Sequence, residues 1–182
     1  MLELTIPGGE FWDEDKEEFI RRNNTTIRLE HSLVSLSKWE SKWHKPFLSK
    51  KSTKTPEEIT DYVRFMTISQ NVDPSVYSYL TAENYRQINE YLDDPMTATW
   101  FNEERKKSRS SQQITSELIY YWMIESGVPF DPCQKWHLNR LLTLIKVCSV
   151  ERQSHKKKSK KTIFSENTAL NAARRARLNS NG

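Results

Sequence analysis

Glycine and cysteine are scarce in this chain, and no long apolar run occurs in it. Four glycines in 182 residues exclude a sandwich or barrel with many tight turns, and a glycine-rich phosphate loop as well. Two cysteines, Cys133 and Cys148, are too few for a disulfide framework and fit a reducing interior. No stretch reaches the roughly 18 apolar residues that a membrane helix needs, and the acidic start Met1-Leu2-Glu3-Leu4 is not a signal-peptide pattern. The expectation from these absences is a soluble cytoplasmic protein. Neither G-x-S-x-G nor H-E-x-x-H occurs, so the familiar hydrolase and zinc-protease signatures are missing.

Aromatic residues are plentiful by contrast. Six tryptophans and seven tyrosines place a large apolar payload in amphipathic side chains, which suit cores and interfaces alike. Charge is unevenly spread. Residues 151–182 hold nine Lys/Arg against Glu151 and Glu166, a net of +7, so the other 150 residues carry 19 basic and 22 acidic groups, a net of −3. The pI near 9.0 therefore describes a basic tail on a mildly acidic body. The length suits one domain with a tail. The chain reads as an N-terminal β element over 1–30, a helical body over 31–150, and a basic linker with a C-terminal helix or arm over 151–182. The fold class is mainly α (α+β).

Leu2, Leu4 and Ile6 alternate with polar residues, Pro7-Gly8-Gly9 turns the chain, and Ile27 and Leu29 share one side of a later run. This predicts an antiparallel meander of about three strands, with Phe11 to Ile20 open to a short helix instead. Ser32, Thr55, Asp73 and Thr81 then stand as helix caps, two of them followed by a proline at the first helical position. The body is organised around Gln112 to Cys148. Ile114, Leu118, Tyr121 and Trp122 form one helical stripe, Gly127 and Pro129 stop it, and Asp131-Pro132 restarts a helix carrying Leu138, Leu141, Leu142, Ile145 and Cys148. So short a break predicts an αα-hairpin, the candidate core.

Chemistry is sparse. Cys133 and His137 have the i, i+4 spacing of a helical metal pair, but Cys148 lies about 22 Å further along such a helix and cannot join them. A buried thiol and a histidine near a helix start account for both, and no catalytic, cofactor or metal site is expected. Lys156, Lys157, Lys158, Lys160, Lys161, Arg174, Arg175 and Arg177 form a basic arm able to neutralise phosphates. It has only Phe164 as a stacking aromatic, so nonspecific contact is the most it supports. Trp39, Trp43, Tyr121, Trp122 and Trp136 have core-like spacing on helices. A body this small does not readily seal all six indoles, and a surplus forms an apolar patch for helices of another chain.

The segments L-E-H-S-L-V-S-L-S-K-W-E-S-K-W (29–43), M-T-I-S-Q-N-V-D-P (66–74), P-M-T-A-T-W-F (95–101), S-E-L-I-Y-Y-W-M-I (116–124), Q-K-W-H-L-N-R-L-L-T-L-I (134–145) and N-T-A-L-N-A-A-R-R (167–175) resemble a group of proteins from long-tailed phages of Gram-positive hosts, the tail assembly chaperones. The resemblance runs over nearly the whole chain. It implies a non-enzymatic role in the host cytoplasm: binding the tape measure protein, and tail-tube subunits in turn, and keeping apolar helices from aggregating until the tube polymerises. It names no client-binding residues; the five aromatics above are inferred from spacing. A structural virion protein of the tail or head–tail joint, and a nucleic-acid-binding accessory protein using the basic arm, are the alternative readings. A homo-oligomer is compatible with each.

Overall fold

The computed structural model describes residues 1–13, 17–49, 53–101, 113–155 and 160–178. They fall into two compact units, Met1–Lys146 and Val147–Gly182, so the division lies inside the last helix of the body rather than at residue 151. The class is mainly α with a small antiparallel β element.

The β element is one long hairpin rather than a three-strand meander. β1 (Leu2–Ile6) pairs with β4 (Thr25–Leu29), and β2 (Gly9–Asp13) pairs with β3 (Glu18–Arg22). Residues 9–13 and 18–22 are extended, so the helical alternative for this stretch falls. The register runs from Leu2 opposite Leu29 and Ile6 opposite Thr25 on to Gly9 opposite Arg22, without a slip. Between the halves the two strands nearly touch. A Cβ on Gly8 would lie 2.2 Å from the Arg22 carbonyl oxygen, and the Gly8 N–H donates to Asn24 Oδ1 at 2.8 Å. Only glycine fits there. Alternation buries Leu4, Ile6, Ile27 and Leu29 on one face of the inner half.

Four helix starts sit where the local signals put them, at Ser32, Thr55, Asp73 and Thr81, and a fifth, at Thr115, was not expected. Ser32 caps α1 (Leu33–Trp43), Thr55 caps α2 (Pro56–Met66) through a capping box with Glu58, and Thr81 caps α3 (Ala82–Asp93). Asp73 opens a 3-10 turn, Pro74–Tyr79, and Thr115 caps α4 (Ser116–Ser126). Gly127 ends α4 at φ 67°, in the left-handed region where a side chain is strained. The restart at Asp131-Pro132 differs from expectation. Asp131 is extended, the Asp131–Pro132 peptide is cis, and α5 (Phe130–Cys133) is a single turn. The long helix α6 (Leu138–His155) begins later, where the Leu138 N–H donates to the His31 carbonyl at 2.7 Å. A contact with the distant segment before α1, not the proline, sets its start. Cys133 and His137 consequently do not share a helix.

The main apolar cluster joins β1 and β4 to Trp39 of α1, to Tyr62, Val63 and Met66 of α2, to Val76 and Tyr77 of the 3-10 turn, and to Ile88 of α3. Among the described residues the extensive helix–helix contacts are α1 with α2 and α1 with α4, so the core centres on α1 and α2 rather than on an α4–α6 hairpin. Trp39 is sealed. Its Nε1 donates to the Glu58 carbonyl at 2.7 Å, and its ring meets Phe47 edge-on at 5.0 Å. Glu40, also buried, accepts from the Phe47 N–H at 2.9 Å and, through its other oxygen, from the Ser116 N–H at 2.7 Å. That carboxylate ties the end of α1 to the start of α4. Asp61 pairs with Lys42 and Arg64, and Glu58 with Lys45. Trp39→Ala should therefore cost about 3–5 kcal/mol of unfolding free energy in a denaturant titration. Trp12→Ala, at an exposed indole, should stay within about 0.5 kcal/mol of the parent.

Candidate partner-binding surface

The α4 helix is built from an unbroken apolar run, Leu118 to Ile124, so its periodicity cannot say which side faces inward. Packing on α1 decides. Ser116, Ile119 and Met123 are buried, at i, i+3 and i+7. Tyr121 follows Ile119 by two residues, about 200° round the helix, and points away from the body. Tyr121 is 55% exposed and Ile124 66% exposed. The expected inward stripe of Ile114, Leu118, Tyr121 and Trp122 is thus largely the outward one: Ile114 and Tyr121 are exposed, Leu118 and Trp122 half-buried. Phe130 extends this surface, being exposed itself and edge-on to Tyr120 at 5.3 Å. Gln134 Oε1 accepts from the Tyr120 hydroxyl at 3.2 Å, which fixes that ring.

The other sequence-inferred residues divide sharply. Trp39 is inaccessible to any partner in this fold, because the α1–α2 contact closes over it; it belongs to the core, not the surface. Trp43, one turn on, is half-buried with Lys42 over its ring at 5.1 Å. Among the described residues its buried Nε1 has no acceptor. Trp136 is half-buried beneath Arg140, whose guanidinium lies 4.3 Å from the ring centroid. Spacing missed Trp100, at 87% the most exposed indole. It stands in the irregular connector 94–101, where no periodicity exists to flag it.

A concave site also lies in the first unit. A cavity of about 420 Å³ is lined by Phe47, Leu48, Ile59, Tyr85, Ile88 and Leu92, with Lys54, Asn89 and Asp93 among its polar residues and His31 and Tyr62 also contributing. Lys54 sits over the Phe47 ring at 4.4 Å, and burial holds its amine below the usual lysine range, against the pull of Glu58. Volumes of this order accept one bulky side chain or a small ligand.

Beneath it is a buried polar cluster. His31 Nδ1 and the Tyr62 hydroxyl are in hydrogen-bond contact at 2.5 Å, and His137 Nε2 meets the Tyr91 carbonyl at 3.0 Å. The Tyr91 hydroxyl donates to Glu30 Oε1 at 2.7 Å. The two imidazoles lie 5.2 Å apart. Burial, then the neighbouring His137, pushes His31 down to about 3; burial likewise lowers His137 and raises both tyrosines. Both histidines are neutral at pH 7 and serve as packing and hydrogen-bonding groups. Among the described residues no cluster of three or more His, Cys, Asp or Glu is placed to hold a metal ion.

In the second unit α7 (Lys160–Leu178) starts with Lys160 and Lys161 and ends with Arg174, Arg175 and Arg177 exposed, as are Phe164 and Leu170. Lys156, Lys157 and Lys158 lie outside the described residues. No helix among the described residues is long and apolar enough to cross a membrane. Comparisons with protein-family models, curated proteins and solved structures find no match to this chain.

The histidine cluster gives a pH dependence with a definite sign. The folded pKa of His31 lies below its ordinary 6.5, so its contribution is fully present above that value and is lost as pH falls from 6.5 towards 3. From pH 7 to pH 5 the unfolding free energy should drop by about 2 kcal/mol from His31 alone. Denaturant titrations at the two pH values measure this, and the slope should flatten in His31→Gln.

Proposed function

We propose that this protein is a phage tail assembly chaperone that holds apolar helices of the tape measure protein in the host cytoplasm until tail-tube subunits replace it. The observation that carries this reading is the exposed strip on α4, Tyr121 and Ile124 with Phe130 beside them, presented by a helix whose opposite face is anchored to the core. An apolar strip of this kind, left exposed among the described residues, suits the apolar side of another helix. Burying one such side chain contributes about 1.5–3 kcal/mol, so two or three contacts repeated along a long client give holding that remains reversible. The cavity beside Phe47 and Ile88 adds a place for one bulky client side chain. Trp43, Trp122 and Trp136, each half-buried, supply further apolar rim, and Trp39 acts only as the packing that keeps the strip's scaffold rigid. No reaction is assigned to the protein.

The same strip would serve a permanent subunit contact, which is the structural-virion alternative. Mass spectrometry of washed virions separates the two, with stoichiometric retention contradicting the chaperone reading. The direct test is to co-express the chain with tape measure fragments. The parent should keep the fragments in the supernatant. Tyr121→Ser with Ile124→Ser should bind them roughly tenfold or more weakly, with unfolding free energy unchanged to within about 0.5 kcal/mol. Full solubilisation by this double variant would sink the α4 assignment.

A further inference from the structure

The cavity between α2 and α3 is walled mainly by apolar side chains, Phe47, Leu48, Ile59, Ile88 and Leu92. Most of the polar groups that also line it are engaged within the protein. His31 and Tyr62 are in hydrogen-bond contact with each other, and the Tyr85 hydroxyl meets Thr60 Oγ1 at 3.4 Å. The Asn139 amide donates to the Leu92 and Asp94 carbonyls. Asn89 and Asp93 are exposed one turn apart on α3 and are met by solvent. Lys54 differs from all of these. It is half-buried with its amine 4.4 Å from the Phe47 ring centroid, and among the described residues no carboxylate pairs with it directly. Glu58 acts on it only at longer range. Both Glu58 oxygens are taken, one by Lys45 and the other by the Thr55 N–H.

We propose that this cavity binds a small organic acid, an apolar body with one carboxylate set on the Lys54 amine. The apolar wall takes the body, and a volume of about 420 Å³ suits a ligand of that size. The carboxylate gives a half-buried ammonium the anion its surroundings lack, where water screens the pair weakly. Asp93 opposes this from the solvent side, where its charge is screened. A chain end carries the same carboxylate together with peptide groups that need partners of their own, and the wall's hydroxyl and amide groups are already used. The cavity is the one offered above to a client side chain. The acid is tested with no client present, so the two readings fail separately.

Calorimetric titration of the full chain with naphthoate, naphthalenemethanol and naphthylmethylamine compares one body carrying different charges. Naphthoate should bind roughly tenfold or more tightly than the alcohol, and the amine should bind weakest. Lys54→Met should bring naphthoate down to the alcohol's level and leave the alcohol as it was, whereas Lys54→Arg should keep the preference. Ile59→Trp, at a residue 39% exposed, should fill the cavity from its rim and weaken all three ligands without changing far-UV circular dichroism. Absence of naphthoate binding at millimolar concentration, equal binding of acid and alcohol, or a preference that survives Lys54→Met would overturn the assignment. So would tighter binding of a peptide ending in a free phenylalanine carboxylate, because the occupant would then be a chain end.

Discussion

The indole of Trp39 between α1 and α2 is the constraint on which the rest depends. Its N–H is satisfied by the Glu58 carbonyl, so a large aromatic can be sealed without stranding a donor. The Glu58 side chain meanwhile completes the Thr55 capping box and pairs with Lys45, and the hydrogen bond from Lys45 holds its carboxyl below the usual range. One residue thus starts α2, docks α1 on it and ties down the segment after α1. Phe47 on that segment stacks on Tyr62 at 3.8 Å between centroids. The aromatic contacts then continue through His31 and His137 to Tyr91 of α3.

A scaffold closed this way has consequences for the aromatics it leaves outside. Glu40 holds the Ser116 N–H, which fixes where α4 begins and therefore which of its faces meets α1. Because Ile119 and Met123 are turned inward, Tyr121 and Ile124 are turned outward, and the apolar strip is a result of core packing rather than a separate feature. The neutral histidines extend the same logic: burial penalises a charged imidazole in that layer, and at His31 the neighbouring His137 adds to the penalty. The helices that present the surface are thereby kept from rearranging to bury it.

What could be read in advance was local. Caps at Ser32, Thr55, Asp73, Thr81 and the stop at Gly127 were legible because each depends on residues within one turn. The alternation of Leu2, Leu4, Ile6, Ile27 and Leu29 was legible for the same reason. What spacing could not decide was set by distant residues. Trp39 and Trp43 are equivalent by helical period, and only Glu58 and Phe47 make one of them core. The apolar run in α4 has no polar side to orient it, so its stripe was assigned the wrong way round. The start of α6 was placed at Pro132, whereas pairing of Leu138 with His31 governs it. Trp100 and the Trp12–Phe19 pair carry no periodic signal that separates surface from core.

The central claim is that the side chains left outside the core are a binding surface used in passing. Hydroxyl-radical footprinting of the full chain, alone and with a tape measure fragment, reads this residue by residue. Oxidation of Tyr121, Ile124 and Phe130 should fall when the fragment is present and return when tail-tube subunits are added, while Trp39 stays unreactive throughout. Unchanged oxidation of the α4 strip in a mixture where the fragment remains soluble would contradict the account.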